Sequence, residues 1–441
     1  MIESMVEHVF RAAFRAGGPF MPGPMRWLSL LSLLRNVSEG TRVNVVSEIH
    51  EHADPRKVIW VAAQLDRLEK KRQARLAARA LAGLVTRSLE RKAARMAAAA
   101  GEGAVPFLST LLLATSARCN LRCVGCPSGS APQAAAPAFE RLDGIIRQAE
   151  RLHLFHVVVM GRGEPFFDET CTRDLCRLIG SHRFLNFIVF TNGTTLDEDD
   201  VRRLAGLENL FLFVSLDGPE EVNDERRGRG TYRKAVGLMR LLRRHGLLFG
   251  YSSTVSRPNW QAALSRAFVS SMAAEGCLLG TYIMYAPVDE GAPGGLTLDP
   301  GEVEAYASRM RDLNAAVDIP LFDFELVEGI HGCRAKRGSM IYVDGVTGRV
   351  YPCPKMPFSA PSCSLYERPH EDRLREILAS DFFTGFRRSG SRHRPCTARF
   401  GEEVGRLIAL GVSGREADRI AALVRKLPAV GRGGLELPEN P

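Results

Sequence analysis

The chain has 441 residues, of which 45% are apolar and 25% charged. That length and composition support a large core in more than one domain, and exclude a collagen-like repeat, disorder throughout and a small disulfide-stapled fold. The 59 Lys and Arg against 50 Asp and Glu leave a net charge of +9, which favours anionic partners without distinguishing nucleic acid, phospholipid headgroups and acidic small molecules.

The N-terminal stretch MIESMVEHVFRAAFRAGG mixes acids and bases with its apolar residues and lacks the basic start, apolar run and cleavage site of a secretory leader. The longest apolar stretches, 107–114 and 187–190, fall far short of the roughly 20 residues that span a bilayer. The expected location is the cytoplasm, where ten cysteines read as free thiols or metal ligands and not as disulfides.

Residues 1–105 form an expected N-terminal helical region. Asp54 followed by Pro55 is a helix start, and 56–96 is rich in Ala, Leu, Arg and Lys. Lys71, Arg75, Arg79, Arg87, Arg91 and Arg95 recur at multiples of four, beside an apolar strip of Leu81, Val85 and Leu89. A solvated face over a packed one accounts for this pattern; a surface for a membrane or an acidic partner is the alternative. No zinc-finger spacing or RNA-binding aromatic motif supports nucleic acid as a partner.

After Gly101 the pattern changes. Apolar runs at 111–116, 156–160, 187–190, 210–216, 248–254 and 278–286 alternate with helix-like segments. This predicts an α/β fold with parallel strands, a partial (β/α)6 TIM-like barrel over 106–325. Functional residues of such a fold belong at the carboxyl ends of the strands. A small cysteine-rich module is expected over 326–400 and a C-terminal helix and tail over 401–441.

Directly after the first predicted strand stand Cys119, Cys123 and Cys126, in CNLRCVGC. Three thiols in one loop suit a soft-metal site. Zinc is one candidate, although structural zinc wants four ligands and paired C-x2-C knuckles. The x3, x2 spacing resembles the cluster loop of the radical S-adenosylmethionine (SAM) enzymes. That resemblance implies a [4Fe–4S] cluster held by the three cysteines, with one iron left for SAM, and a 5′-deoxyadenosyl radical that removes hydrogen from an unactivated position.

Further segments extend the resemblance. Gly161-Arg162-Gly163-Glu164-Pro165 ends the second strand and is similar to the family's GGEP, with arginine in second place. The resemblance assigns Gly161, Gly163 and Glu164 to the methionyl amino group. Thr191-Asn192-Gly193 ends the third strand, and Asn192 is expected to shape the adenosyl pocket. Ser215-Leu216-Asp217-Gly218 ends the fourth, which places Ser215 and Asp217 near the ribose or methionyl part. Arg226, in NDERRGRGTY, is a candidate carboxylate contact that sequence does not separate from Arg227 and Arg229. The family often has an aromatic residue before the third cysteine. Gly125 stands there, so adenine needs apolar cover from elsewhere, with Val255 and Met284 as candidates.

A second set, Cys333, Cys353, Cys363 and Cys396, surrounds DGVTGRVYPCP and resembles the C-terminal module of the SPASM/twitch branch. It implies an auxiliary [4Fe–4S] cluster, with Cys363 the least certain ligand, against the alternatives of zinc or a turn-rich hairpin with unrelated thiols. His331 and His393 lie near this set, while Cys171, Cys176 and Cys277 fit no constellation and read as core thiols. The helical front and MYAPVDEGAP at 284–293 also resemble a tetraether-synthase-like branch. The implied function is a radical SAM oxidoreductase acting on a lipid, peptide or small molecule, with flavodoxin or ferredoxin as electron donor and a peripheral membrane contact at the cytoplasmic face. The alternative is an iron–sulfur electron carrier or scaffold without radical activity.

Overall fold

The computed structural model describes residues 107–126, 134, 136–287, 293, 295–326, 333–356 and 358–388. The expected helical front, the tail, His331, His393 and Cys396 lie outside the described residues.

The chain enters on β1 (Thr110–Ala114) and α1 (Phe139–Glu150), then β2 (His156–Val159), α2 (Glu169–Ser181), β3 (Asn186–Thr191) and α3 (Glu198–Ala205). It continues through β4 (Leu210–Ser215), α4 (Glu220–Arg227), α5 (Thr231–Arg244), β5 (Phe249–Val255), α6 (Trp260–Ala263), α7 (Arg266–Glu275) and β6 (Gly280–Met284). After α8 (Pro300–Ala316) come β7 (Leu321–Asp323), α9 (Arg334–Arg337), β8 (Met340–Asp344), β9 (Arg349–Tyr351), α10 (Arg373–Ala379) and α11 (Asp381–Arg388).

All six predicted strands form, and they pair in parallel in chain order, each joined to the next through helix. Side-chain alternation sorts each strand: Phe187, Val189 and Thr191 of β3 are buried, while Ile188 and Phe190 between them are half-buried on the other face. The fully buried set meets the apolar stripes of the helices, such as Leu142, Ile145, Ile146 and Ala149 of α1 and Leu238, Met239 and Leu242 of α5. Each buried Leu, Ile or Met side chain among them contributes about 1.5–3 kcal/mol. Helix starts are set by carboxylates: Asp168 accepts from the Cys171 amide, and Asp299 with Glu302 forms a capping box ahead of Pro300.

The sheet is larger than the six strands expected. Among the described residues it has nine, in the order β7-β6-β5-β4-β3-β2-β1-β8-β9. β8 runs parallel to β1 with Leu112 opposite Tyr342 and Ala114 opposite Asp344, so part of the cysteine-rich segment is built into the sheet itself. Beyond β9 the chain crosses to strands at the opposite end of the sheet order. Lys355 Nζ donates to the Met284 carbonyl (2.8 Å) at the end of β6 and pairs with Glu325 after β7. The turn that carries Cys353 is thereby fastened at the carboxyl ends of β6 and β7. No helix among the described residues is long and apolar enough to cross a membrane.

Candidate functional site

The loop 115–126 leaves the carboxyl end of β1 and is hydrogen-bonded to the segments that follow β2, β3 and β4. The Glu164 amide donates to the Arg118 carbonyl (2.7 Å), and the Val124 amide donates to the Arg226 carbonyl (2.9 Å). Asn192 Nδ2 donates to Asn120 Oδ1 (2.9 Å) and lies 3.8 Å from Cys119 Sγ. Backbone approach is tightest at Gly163, where φ is +76° and a Cβ would fall 2.4 Å from the Ser116 carbonyl oxygen. Only glycine fits there.

Glu164 is 2% exposed and its carboxylate is taken up by protein donors. Oε1 accepts from Thr191 Oγ1 (2.7 Å) and the Phe166 amide (3.2 Å), and Oε2 accepts from the Asn192 amide (2.7 Å). Burial pushes this carboxyl up, against hydrogen bonds that favour its ionised form. The side chain joins GRGEP to TNG. Asn192 is buried and spans to the cysteine loop, and its Oδ1 accepts from the Thr194 amide (2.9 Å). Ser215 ends β4 half-buried, opposite Ser252 of β5.

Asp217 is wholly buried and holds both arginines of α4. Its Oδ2 accepts from Arg226 Nη1 and Arg227 Nε, each at 2.6 Å, and its Oδ1 accepts from the Thr254 amide at 2.8 Å. The two guanidiniums hold its carboxyl down at about 2 despite the burial. Two cations against one carboxylate leave an excess positive charge beside Cys123, which opposes the upward push of burial on that thiol. Burial raises the Cys119 thiol to about 11.

The second set is partly described. Cys353 is buried in the turn that closes with a Met356 amide to Cys353 carbonyl bond (3.1 Å). Cys363 is buried beside β9, its carbonyl accepting from the Val350 amide (2.9 Å), and burial raises its thiol. Cys333 is half-buried at the start of α9. Cys277 is fully buried, with its Sγ 3.9 Å from Met239 Sδ. Cys171 is buried at the start of α2, 3.7 Å from Arg118 Nη2.

Val255 and Met284 are buried in the main core. Tyr285 and Leu296 stand against the cysteine loop at Gly125. At Gly125, φ is +74° and a Cβ would meet Leu296 Cδ1 at 2.7 Å and Tyr285 Cε2 at 2.8 Å. The tyrosine directly follows the β6 run, but the contact joins positions far apart in the chain, so no local pattern announces it. Arg118, Asn120 and Thr191 also join the site through contacts that no motif announces: Asn120 and Thr191 stand inside CNLRCVGC and TNG, and Arg118 directly precedes Cys119. Gly125→Ala should therefore force the cysteine loop off its seat, and iron retained at that loop after anaerobic reconstitution should fall several-fold with the rest of the fold intact. Unchanged iron would show that the loop adapts.

The fit to an iron–sulfur cluster rests on donors and charge. Cys119, Cys123 and Cys126 are free and half-exposed. The loop is held by backbone bonds that do not depend on the thiols, and buried cationic charge stands beside it to offset an anionic group. Among the described residues no three His, Cys, Asp or Glu side chains stand at metal-binding spacing, so the thiols must turn toward one another to hold a metal. The donor set suits iron or zinc bound by sulfur, and three thiols leave one position for a further ligand.

Residues 113–256 match the Radical SAM superfamily. The Fe-coproporphyrin III synthase of Methanosarcina barkeri is 28% identical over 155 residues, which cover 32% of this chain and 36% of that protein's length. The Streptococcus suis protein SuiB bound to its precursor peptide SuiA has a similar fold, with a TM-score of 0.52 at 14% identity over 77% of this chain and 74% of that one. SuiB bound to S-adenosylmethionine gives 0.53 at 15% identity over 81% and 79%. Residues 113–256 thus carry a radical SAM domain, which takes in the three-cysteine loop and the carboxyl ends of β1 to β4, and the groups of that superfamily are a [4Fe–4S] cluster and S-adenosylmethionine.

Proposed function

We propose that this chain is a SAM-dependent radical oxidoreductase whose first substrate step is hydrogen abstraction. The observation that carries the reading is the junction at the strand ends: the Cys119–Cys126 loop is hydrogen-bonded to the segments after β2, β3 and β4. Cys119, Cys123 and Cys126 would hold the cluster. Gly161, Gly163, Asn192 and Ser215 border the place for SAM. Glu164 and Asp217 act from beneath, Glu164 by fixing the GRGEP and TNG segments and Asp217 by aiming Arg226 and Arg227. When bound, the cluster and SAM supply an electron and a 5′-deoxyadenosyl radical. The chain's own part is to place SAM against the loop and to shield the site with the Tyr285 and Leu296 side chains.

Cys333, Cys353 and Cys363, with Cys396, are the proposed ligands of an auxiliary [4Fe–4S] cluster. The fastening of the Cys353 turn at the ends of β6 and β7 supports this, since it brings the turn to the end of the sheet where the first loop lies. Flavodoxin or ferredoxin is the proposed electron donor, and a lipid, peptide or small molecule the substrate.

The test is anaerobic reconstitution with iron and sulfide, followed by paired iron and 5′-deoxyadenosine analysis. About eight irons per chain and reductive cleavage of SAM are the expected result. A loaded, reducible cluster that never cleaves SAM would favour the electron-carrier reading, and zinc in place of iron at both sites would overturn the proposal.

A further inference from the structure

Arg162, the residue that departs from GGEP, reaches out of the radical SAM domain. Its Nη1 donates to Asp344 Oδ2 at 2.8 Å, across from the end of β2 to the end of β8. The Asp344 side chain is 3% exposed and that of Arg162 is 28% exposed. Asp344 is itself fixed. It stands opposite Ala114 in the β1–β8 ladder, its Oδ1 accepts from the Val346 amide (3.0 Å), and its carbonyl accepts from the Gly348 amide (2.7 Å). The neighbouring Gly161 packs on the Tyr342 hydroxyl, in the same strand β8: a Cβ there would fall 2.6 Å from it.

The loop being held is the one that meets the cluster loop. Gly163 rests on the Ser116 and Arg118 carbonyls, and the Glu164 amide bonds to Arg118. A flanking glycine on each side of Arg162 gives the backbone no stiffness of its own, so its position depends on what holds it from outside. A buried carboxylate paired with an arginine fixes direction through geometry, and losing either partner leaves the other desolvated and unpaired.

We infer that Arg162 and Asp344 are positioning residues for the SAM site: the ion pair sets the GRGEP loop against the cysteine loop, so SAM affinity depends on a residue of β8, outside the matched domain. The inference rests on the proposed SAM-binding role of this loop.

The experiment uses the full-length protein, reconstituted anaerobically, and measures SAM affinity by equilibrium dialysis. The electron paramagnetic resonance signal of the reduced first cluster is recorded with and without SAM. Arg162→Gln and Asp344→Asn should each weaken SAM binding on the order of tenfold with iron content unchanged. Both should also lose the SAM-induced change in the signal at the concentration that saturates the parent. Asparagine keeps the acceptor for the Val346 amide, and Arg162→Gln gives the same comparison from the more exposed side should Asp344→Asn fail to fold. The double variant should bind no worse than either single one, because both remove one contact. Single variants that bind SAM as the parent does, whatever their melting temperatures, would make the pair a mere fastener and overturn the inference alone, as would strictly additive losses. A parent that takes up iron but binds no SAM would overturn the reading of the site and the inference with it.

Discussion

Replacing Cys119, Cys123 and Cys126 together with alanine is expected to abolish release of 5′-deoxyadenosine from SAM and to remove about four irons per chain, leaving about four at the second cysteine set. The loss should be one of chemistry and not of folding. The three thiols are half-exposed. The loop's ties to its neighbours run through the Arg118 carbonyl and the Val124 amide, which alanine leaves in place. The sulfur-accepted bonds at risk, to Cys119 Sγ from the Leu121 amide at 3.4 Å and from Asn192 Nδ2 at 3.8 Å, are each worth about 1 kcal/mol or less. Circular dichroism should therefore match the parent while cleavage disappears. Cleavage at the parental rate in the triple variant would refute the assignment of the loop.

Asp217→Asn should be among the most destabilising single changes in the domain, at about 3–5 kcal/mol. Asp217 is fully buried, and its carboxylate is the shared partner of Arg226 and Arg227, whose side chains are nearly buried as well. An amide in its place turns one acceptor into a donor aimed at guanidinium donors and strands cationic charge in the interior. The damage reaches the cluster loop, because the Arg226 carbonyl receives the Val124 amide. The sign of the pH effect follows from the depressed carboxyl, which is held at about 2 against an ordinary 3.8. Its contribution is complete above the ordinary value and is lost as pH falls through about 2. The parent should lose stability in urea across that acid window, and the variant should start lower at neutral pH and show less of that loss. Equal urea midpoints at pH 7 would sink the prediction.

Much of this was legible in the chain. The six strands of the barrel were readable because a strand buried on both faces becomes a short, nearly unbroken apolar run, and CNLRCVGC, GRGEP, TNG and SLDG each follow one of those runs. The seventh strand, Leu321–Asp323, is too short to leave such a signal. β8 was hidden for a different reason. Its residues sit among turns and cysteines that suggest a separate module, and its partner β1 lies more than two hundred residues earlier. Nor does a motif reveal how its residues are used. The carboxylates of Glu164 and Asp217 bond to Thr191, Asn192, Arg226 and Arg227, contacts that GRGEP and SLDG do not announce.

The sequence by itself determined the chemistry on offer: three thiols at one spacing, the glycines that let backbones approach, and strand periodicity that places both at one end of a sheet. These are local properties, set by residue type and by separations of a few positions. Only the tertiary structure decided which distant groups complete the site. Tyr285 and Leu296 meet Gly125, Asp344 receives Arg162, and Lys355 reaches β6, because sheet register and helix packing bring residues together without regard to their separation in the chain.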